Sequence, residues 1–279
     1  MKKKWFFIVL TILFVSISIF IEFRNKYKDK YKRNSYDIID PDDCQKVKDI
    51  KKRGFLHVGI KVDVLRFGFL DSKTNREEGI EPDISRAIAF EIFRDENAVK
   101  FRPITQKTRG ALLDNGELDF VAATFTVTEN RKKSYSFTDE DYYSDYITFL
   151  VNINSGFKSI FDLAGKNIGV SQSTPTKRCL QEKGKELGIE FNFSEYTSYH
   201  ELKTALATGR IDAFSADKSI LIGYLDENSV ILNDAICKQK YSIACKLENK
   251  DFCEYLNKII KKMKNNGQID TLIKKWNLQ

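Results

Sequence analysis

The chain holds only two histidines, His57 and His200, and five cysteines, Cys44, Cys179, Cys237, Cys245 and Cys253, in 279 residues. It has no CxxC pair and no Cys/His spacing of the kind that holds a metal, so the sequence offers no metal or dithiol centre. The cysteines are too few and too scattered for a disulfide framework. Buried free thiols are the default expectation, with Cys237 and Cys245 the one pair to consider. Because the count is odd, at least one thiol of an exported protein stays free or pairs between chains. His57 alternates with apolar neighbours in a predicted strand, which makes it an edge or core residue.

The N-terminal apolar run also lacks the usual processing signals. Lys2 to Lys4 precede an unbroken apolar stretch from Trp5 to Ile21, the layout of a secretory signal or short membrane anchor. No A-x-A pattern and no lipoprotein-type cysteine follows it, and apolar residues continue past the small pair Ser16 and Ser18, so a retained anchor is expected over residues 1–23. The formal charge is +7, but Arg24 to Arg33 (RNKYKDKYKR) supplies six basic residues against one aspartate. Residues 24–43 therefore form a basic polar spacer beside a membrane. Tyr27 and Tyr31 interleaved with those charges could contact nucleic acid or anionic lipid, but no nucleic acid partner is expected.

The remaining ~240 residues are enough for two lobes with separate cores. Strands are predicted at Phe55 to Ile60, Val99 to Pro103 and Asp119 to Thr124. Helices are predicted at Asp83 to Phe93 and Arg109 to Asp114. A second set places strands at Asn167 to Val170, Ile189 to Phe193 and Ile211 to Ser215, with helices at Pro175 to Leu187 and Tyr199 to Ala207. This alternation is that of open, mainly parallel sheets in an α/β fold. Tyr146 to Val151 and Tyr241 to Cys245 are extended stretches suited to be paired hinge strands. The expected first lobe is discontinuous, residues 44–146 with 238–279, and the second spans 147–237; helices near Asp251 to Asn265 and Gln268 to Trp276 return to the first.

In such sheets ligands collect at the carboxyl ends of strands, and several polar residues fall there. Thr124, Thr126 and Thr128 follow one strand and lead into a helical turn carrying Arg131. A guanidinium meets a carboxylate through two parallel hydrogen bonds, and threonine hydroxyls can take the remaining lone pairs. From these residues alone, Arg131 could equally lie on a solvated helix face. Ser173 and Thr174 precede a helix and serve either as its N-cap or as part of an anion site at its terminus. Asp217 opens another helix and is either an N-cap or an anion facing a ligand.

With Asp63 and Phe67 to Leu70 (FGFL) upstream and Gly209-Arg210-Ile211-Asp212-Ala213 followed by Asp217 downstream, the chain resembles the polar amino acid family of extracytoplasmic solute-binding proteins, partners of ABC importers. Within that family it is most similar to the aspartate/glutamate binders. The resemblance covers about residues 44–279. It implies a periplasmic-binding-protein-like fold, two lobes joined by two hinge strands, closing around an amino acid. By resemblance Arg131 takes the α-carboxylate with Thr126 beside it, Asp217 the α-ammonium, Phe67 is an aromatic lid and Tyr199 supplies a hydroxyl. Lys61, Arg109 and Thr124 then meet a side-chain carboxylate. The sequence departs from the family pattern at Thr174-Pro175 and Leu65-Arg66, which bears on ligand fit. The implied protein is a monomeric receptor, not an enzyme, without cofactor, that delivers aspartate or glutamate to an ABC permease at the outer face of the cytoplasmic membrane. The alternatives are a glutamine receptor and an enzyme resembling cyclohexadienyl dehydratase, which would need a general acid in the cleft.

Overall fold

A computed structural model describes residues 44–278. The apolar run and basic spacer lie outside the described residues, among which no helix is long and apolar enough to cross a membrane. In chain order the elements are α1 (Gln45–Arg53), β1 (Leu56–Ile60), β2 (Asp63–Val64), β3 (Gly68–Asp71), β4 (Arg76–Glu78), α2 (Ile80–Phe93), β5 (Val99–Pro103), α3 (Arg109–Asp114), β6 (Phe120–Val121), α4 (Glu129–Lys132) and β7 (Tyr135–Phe137). After β8 (Tyr143–Asn152) come β9 (Asn167–Ser171), α5 (Thr176–Leu187), β10 (Asn192–Tyr196), α6 (Tyr199–Ala207), β11 (Ala213–Asp217), α7 (Lys218–Ile222), β12 (Ser229–Ile231) and β13 (Ile236–Tyr241). The chain ends with β14 (Ala244–Lys246), α8 (Lys250–Asn265) and α9 (Gln268–Lys275).

Two sheets organise these elements. The first has the order β5-β1-β6-β14-β7, parallel across β5, β1 and β6, with β14 antiparallel to both neighbours. The second has the order β10-β9-β11-β8-β12, parallel across β10, β9 and β11, and the ten-residue β8 runs antiparallel to β11, β12 and β13. The fold is thus α/β and periplasmic-binding-protein-like. The expected single extended stretch from Tyr241 to Cys245 is broken: β13 ends at Tyr241 in the second sheet and β14 begins at Ala244 in the first.

Local patterning explains most elements. In α2, Ile80, Ile84, Ile88 and Ile92 recur every four residues and are buried, which gives the helix one apolar stripe. Phe252, Leu256, Ile259, Ile260 and Met263 do the same for α8, which packs on β14, β7, α1 and α2. Ser198 and Glu201 form a capping box that starts α6 where the sequence predicts it. The predicted strand at Ile189 is displaced to Asn192, because Ile189 N–H bonds the Gly184 carbonyl at 2.9 Å and closes the end of α5. The small antiparallel sheet of β2, β3 and β4 was not expected. Its polar third strand carries no alternation, and its register follows from a turn in which Asp71 accepts from Lys73 N–H and Thr74 N–H at 2.9 and 2.7 Å.

The cysteine expectation is corrected. Cys179 of α5 and Cys237 of β13 form a disulfide, their Cα atoms 6.4 Å apart, while Cys44, Cys245 and Cys253 are buried free thiols. Cys237 cannot pair with Cys245, because the latter lies in the other sheet against Cys253.

Candidate functional site

Three strand ends converge. The predicted strand from Asp119 to Thr124 is regular only over β6; beyond it Thr124 turns into the left-handed region at φ +43° and leaves the sheet. That conformation is uncommon for a β-branched residue, and the buried carboxylate of Glu81 supports it by accepting the Thr124 N–H. Glu81 belongs to the first turn of α2, and its place depends on Gly79. Gly79 has φ +127°, and a Cβ there would lie 2.2 Å from the Phe67 carbonyl oxygen. The same carboxylate oxygen accepts the Tyr142 hydroxyl at 2.6 Å, while Oε2 is buried without a hydrogen-bond partner. Burial raises the Glu81 pKa to about 7.

Thr128 caps α4 by accepting the Arg131 N–H at 3.2 Å, which orients Arg131 back over the turn. The guanidinium donates to the Thr126 carbonyl at 2.7 Å and to the Ser173 carbonyl at 2.9 Å, and lies 4.7 Å from the Phe125 ring centroid. The Arg109 guanidinium is 3.7 Å from the same ring and donates to the Ala123 carbonyl at 3.0 Å. Burial, and for Arg131 also the charge of Arg109, lowers their pKa values to about 9 and about 10. Both stay charged at neutral pH, so two cations share a poorly hydrated site that an anion would stabilise.

Asp217 ends β11 and occupies the N-cap position of α7, but its side chain makes no capping bond. It instead accepts the Tyr241 hydroxyl through Oδ2. Burial raises its pKa to about 7, with Asp145 adding to the shift and Tyr241 and Arg131 opposing it. Neither Ser173 nor Thr174 caps α5; Pro175 holds that position, and Thr174 donates to the Ser171 carbonyl at 2.7 Å.

Arg131, Arg109, Asp217, Thr124, Thr126, Thr174 and Tyr199 line one cavity, together with Gln106, Pro175, Thr176 and Ala216. The free space between them is about 10 Å³, room for one water at most. An amino acid therefore enters only when the two sides part. Among the hydrogen bonds that join those sides are Arg131 to the Ser173 carbonyl and the Tyr224 hydroxyl to the Asp63 carbonyl, each at 2.9 Å, and Gln106 meets Tyr199 across the cavity. Tyr199 is 4 % exposed and stacks on Phe214.

Three of the expected residues border the cavity without lining it. Phe67 is fully buried, edge-on to Tyr143 and Tyr241 at 5.1 and 5.6 Å, and packs behind the site instead of covering it. Ser173 contributes its backbone carbonyl, at φ +59°. Lys61 is 1 % exposed, with Nζ 2.8 Å from Asp63 Oδ1 and 3.0 Å from Gln106 Oε1. It faces a separate, more open cavity of about 720 Å³. Gln106 was missed in the sequence although it follows a predicted strand, the signal that could have found it. Glu81 and Tyr241 carry no local signal. Among the described residues no cluster of His, Cys, Asp and Glu could hold a metal.

The family model for bacterial extracellular solute-binding proteins, family 3, matches residues 56–279. The ABC transporter glutamine-binding protein GlnH of Bacillus subtilis (strain 168) is 34% identical over 231 residues, which is 81% of this chain and 82% of that protein. The glutamine-binding protein of Geobacillus stearothermophilus is 35% identical over 209 residues, 74% and 78% of the two chains. An ancestral arginine-binding protein, solved with arginine and with glutamine bound, superposes with a TM-score of 0.71 at 28% identity, covering 80% of this chain and 98% of its own. The chain belongs to family 3 of the bacterial extracellular solute-binding proteins.

Proposed function

We propose that this chain is the amino acid receptor of an ABC importer, held at the outer face of the cytoplasmic membrane, and that its ligand is glutamine. The observation that carries the amino acid assignment is the convergence of Arg131 and Asp217 on one small, buried cavity. A guanidinium and a carboxylate match the two charges every α-amino acid presents. Residues 44–146 with 238–279, and 147–237, act as the two lobes, and closure about the crossings near Tyr143 and Tyr241 expels water around both charges.

Glutamine is preferred to aspartate or glutamate because the charge of Lys61 is already compensated by Asp63 and its donors reach Gln106. Gln106 lines the cavity with its carbonyl oxygen taken by Lys61 and its side chain against Tyr199, so it adds a neutral amide, and no charge, to the side of the cavity where a ligand side chain would lie. The glutamine-binding relatives agree with this choice. One observation favours an acidic ligand: Arg109 forms no salt bridge among the described residues, so its charge is open to a ligand carboxylate. Calorimetric titration of the purified chain with the common amino acids decides between them. Glutamine should bind most tightly, and in Arg109→Gln the ratio of glutamate to glutamine affinity should stay near that of the wild type. A fall in that ratio of about 30-fold or more, the cost of a lost charged hydrogen bond, would assign the acidic ligand. The enzymatic alternative draws on Asp217, whose raised pKa suits a general acid. Incubation with cyclohexadienol acids should give no aromatic product.

A further inference from the structure

Tyr241 is fully buried at the last position of β13, paired with Tyr143 of β8. Its backbone forms a bridge with Thr126, the residue whose carbonyl takes the Arg131 guanidinium. Two residues later the chain has left the second sheet: the Ile243 carbonyl accepts Thr138 N–H at 3.0 Å, and β14 begins at Ala244. The ring is clamped by neighbouring aromatics, edge-on to Phe67 at 5.6 Å and tilted against Tyr143 at 5.9 Å. A clamped ring fixes the direction of its hydroxyl, which donates to Asp217 Oδ2. Oδ1 of Asp217 makes no hydrogen bond among the described residues.

We propose that Tyr241 is the positioning residue of the ammonium anchor. By holding Oδ2 of Asp217 it leaves Oδ1 for the ligand, and because it ends the strand that crosses between the sheets, anchor and crossing move together. The proposal rests on Asp217 receiving the α-ammonium, as proposed above. A buried phenol must find some hydrogen-bond partner, and the one this hydroxyl meets is the carboxylate that lines the cavity. A donor fixed on one oxygen also favours the ionised carboxylate, the form that binds an ammonium.

The test is Tyr241→Phe, which keeps the ring and removes only the hydroxyl. Affinity for glutamine and glutamate is measured by calorimetry from pH 5.5 to 8.5, beside melting curves of the ligand-free chain. The groups facing Asp217 are Asp145 and Tyr143 on β8, Arg131 on α4, Arg109 on α3 and Tyr199 on α6. All remain in the variant, so any change in the pH profile reports the one lost hydrogen bond. Every bound amino acid should weaken about tenfold or more at neutral pH, and the pH at which affinity falls away should move upward. Unchanged affinity and midpoint would overturn the proposal. So would weaker affinity with an unmoved midpoint, which marks packing alone. Asp217→Asn in the same titration separates this from the underlying assignment. If Asp217→Asn binds like the wild type, the anchor itself is wrong. If it loses binding while Tyr241→Phe does not, only the positioning role falls. Should Tyr241→Phe fold poorly, carboxyl carbon NMR shifts of Asp217 in the wild-type chain supply a second measurement. A midpoint that rises when the ligand-free cavity is otherwise unchanged but the Tyr143 or Phe67 clamp is loosened by Phe67→Leu supports the proposal, and an unmoved midpoint opposes it.

Discussion

Arg131 and Arg109 press against the same phenyl ring, yet only Arg131 reaches across to the other side of the cavity, to the Ser173 carbonyl. A ligand carboxylate can take over that donor and its neighbour as a fork. Arg131→Lys keeps the charge but loses the planar two-point geometry, so binding of every amino acid should fall about 100-fold, as calorimetry would show; a few-fold loss would leave Arg131 as a closure contact only. The two buried carboxylates make a second prediction. Asp217 rises from 3.8 and Glu81 from 4.5, each to about 7, chiefly by burial. Between about pH 4 and pH 7 the folded state therefore holds more protons than the unfolded chain, and stability falls as pH rises, on the order of 1.4 kcal/mol per pH unit for each group. Glu81→Gln should flatten that slope in ligand-free thermal melts, by comparison with wild type, across this window. Amino acid affinity should run the other way, rising toward pH 7 as Asp217 ionises.

At the scale of elements, α5 contributes Thr176 to the cavity, and its first turn also holds Cys179, bonded to Cys237 at the bulge of β13. The disulfide closes a loop of 58 residues and fastens the helix to the strand that ends at Tyr241. Loop-closure entropy gives such a bond about 4 kcal/mol of stability at most. A thiol reductant should lower the melting temperature by roughly 5–10 °C, measured with and without saturating glutamine. No change would mean that the bond adds nothing to the folded state. The strand β6 teaches a related point. Its apolar run predicts six strand residues; Ala122 N–H still bonds the Gly59 carbonyl of β1 at 3.0 Å, but at Ala123 and Thr124 the backbone groups turn to Arg109 and Glu81 and the ladder ends.

For the whole molecule, two sheets meet at a cavity too small for a ligand, held together by hydrogen bonds from Arg131 and Tyr224. The chain ahead of residue 44 bears on where the receptor works. The unbroken apolar run from Trp5 to Ile21 with a basic spacer after it predicts a chain that keeps its N-terminus. Mass spectrometry of the membrane fraction should find the intact segment; a soluble form starting near Ile19 would make it a cleaved signal. The sequence by itself determined the alternation of strands and helices and the strand-end positions of Arg131, Thr124 and Asp217, because periodicity and strand ends are local properties. Tertiary structure alone decided which charges remain for a ligand. Lys61 is met by Gln106 at a separation of 45 residues, Thr124 by Glu81 at 43, Asp217 by Tyr241 at 24 and Cys179 by Cys237 at 58. No local pattern encodes such pairings; they arise when packing removes water and leaves each buried polar group to find its partner across the fold.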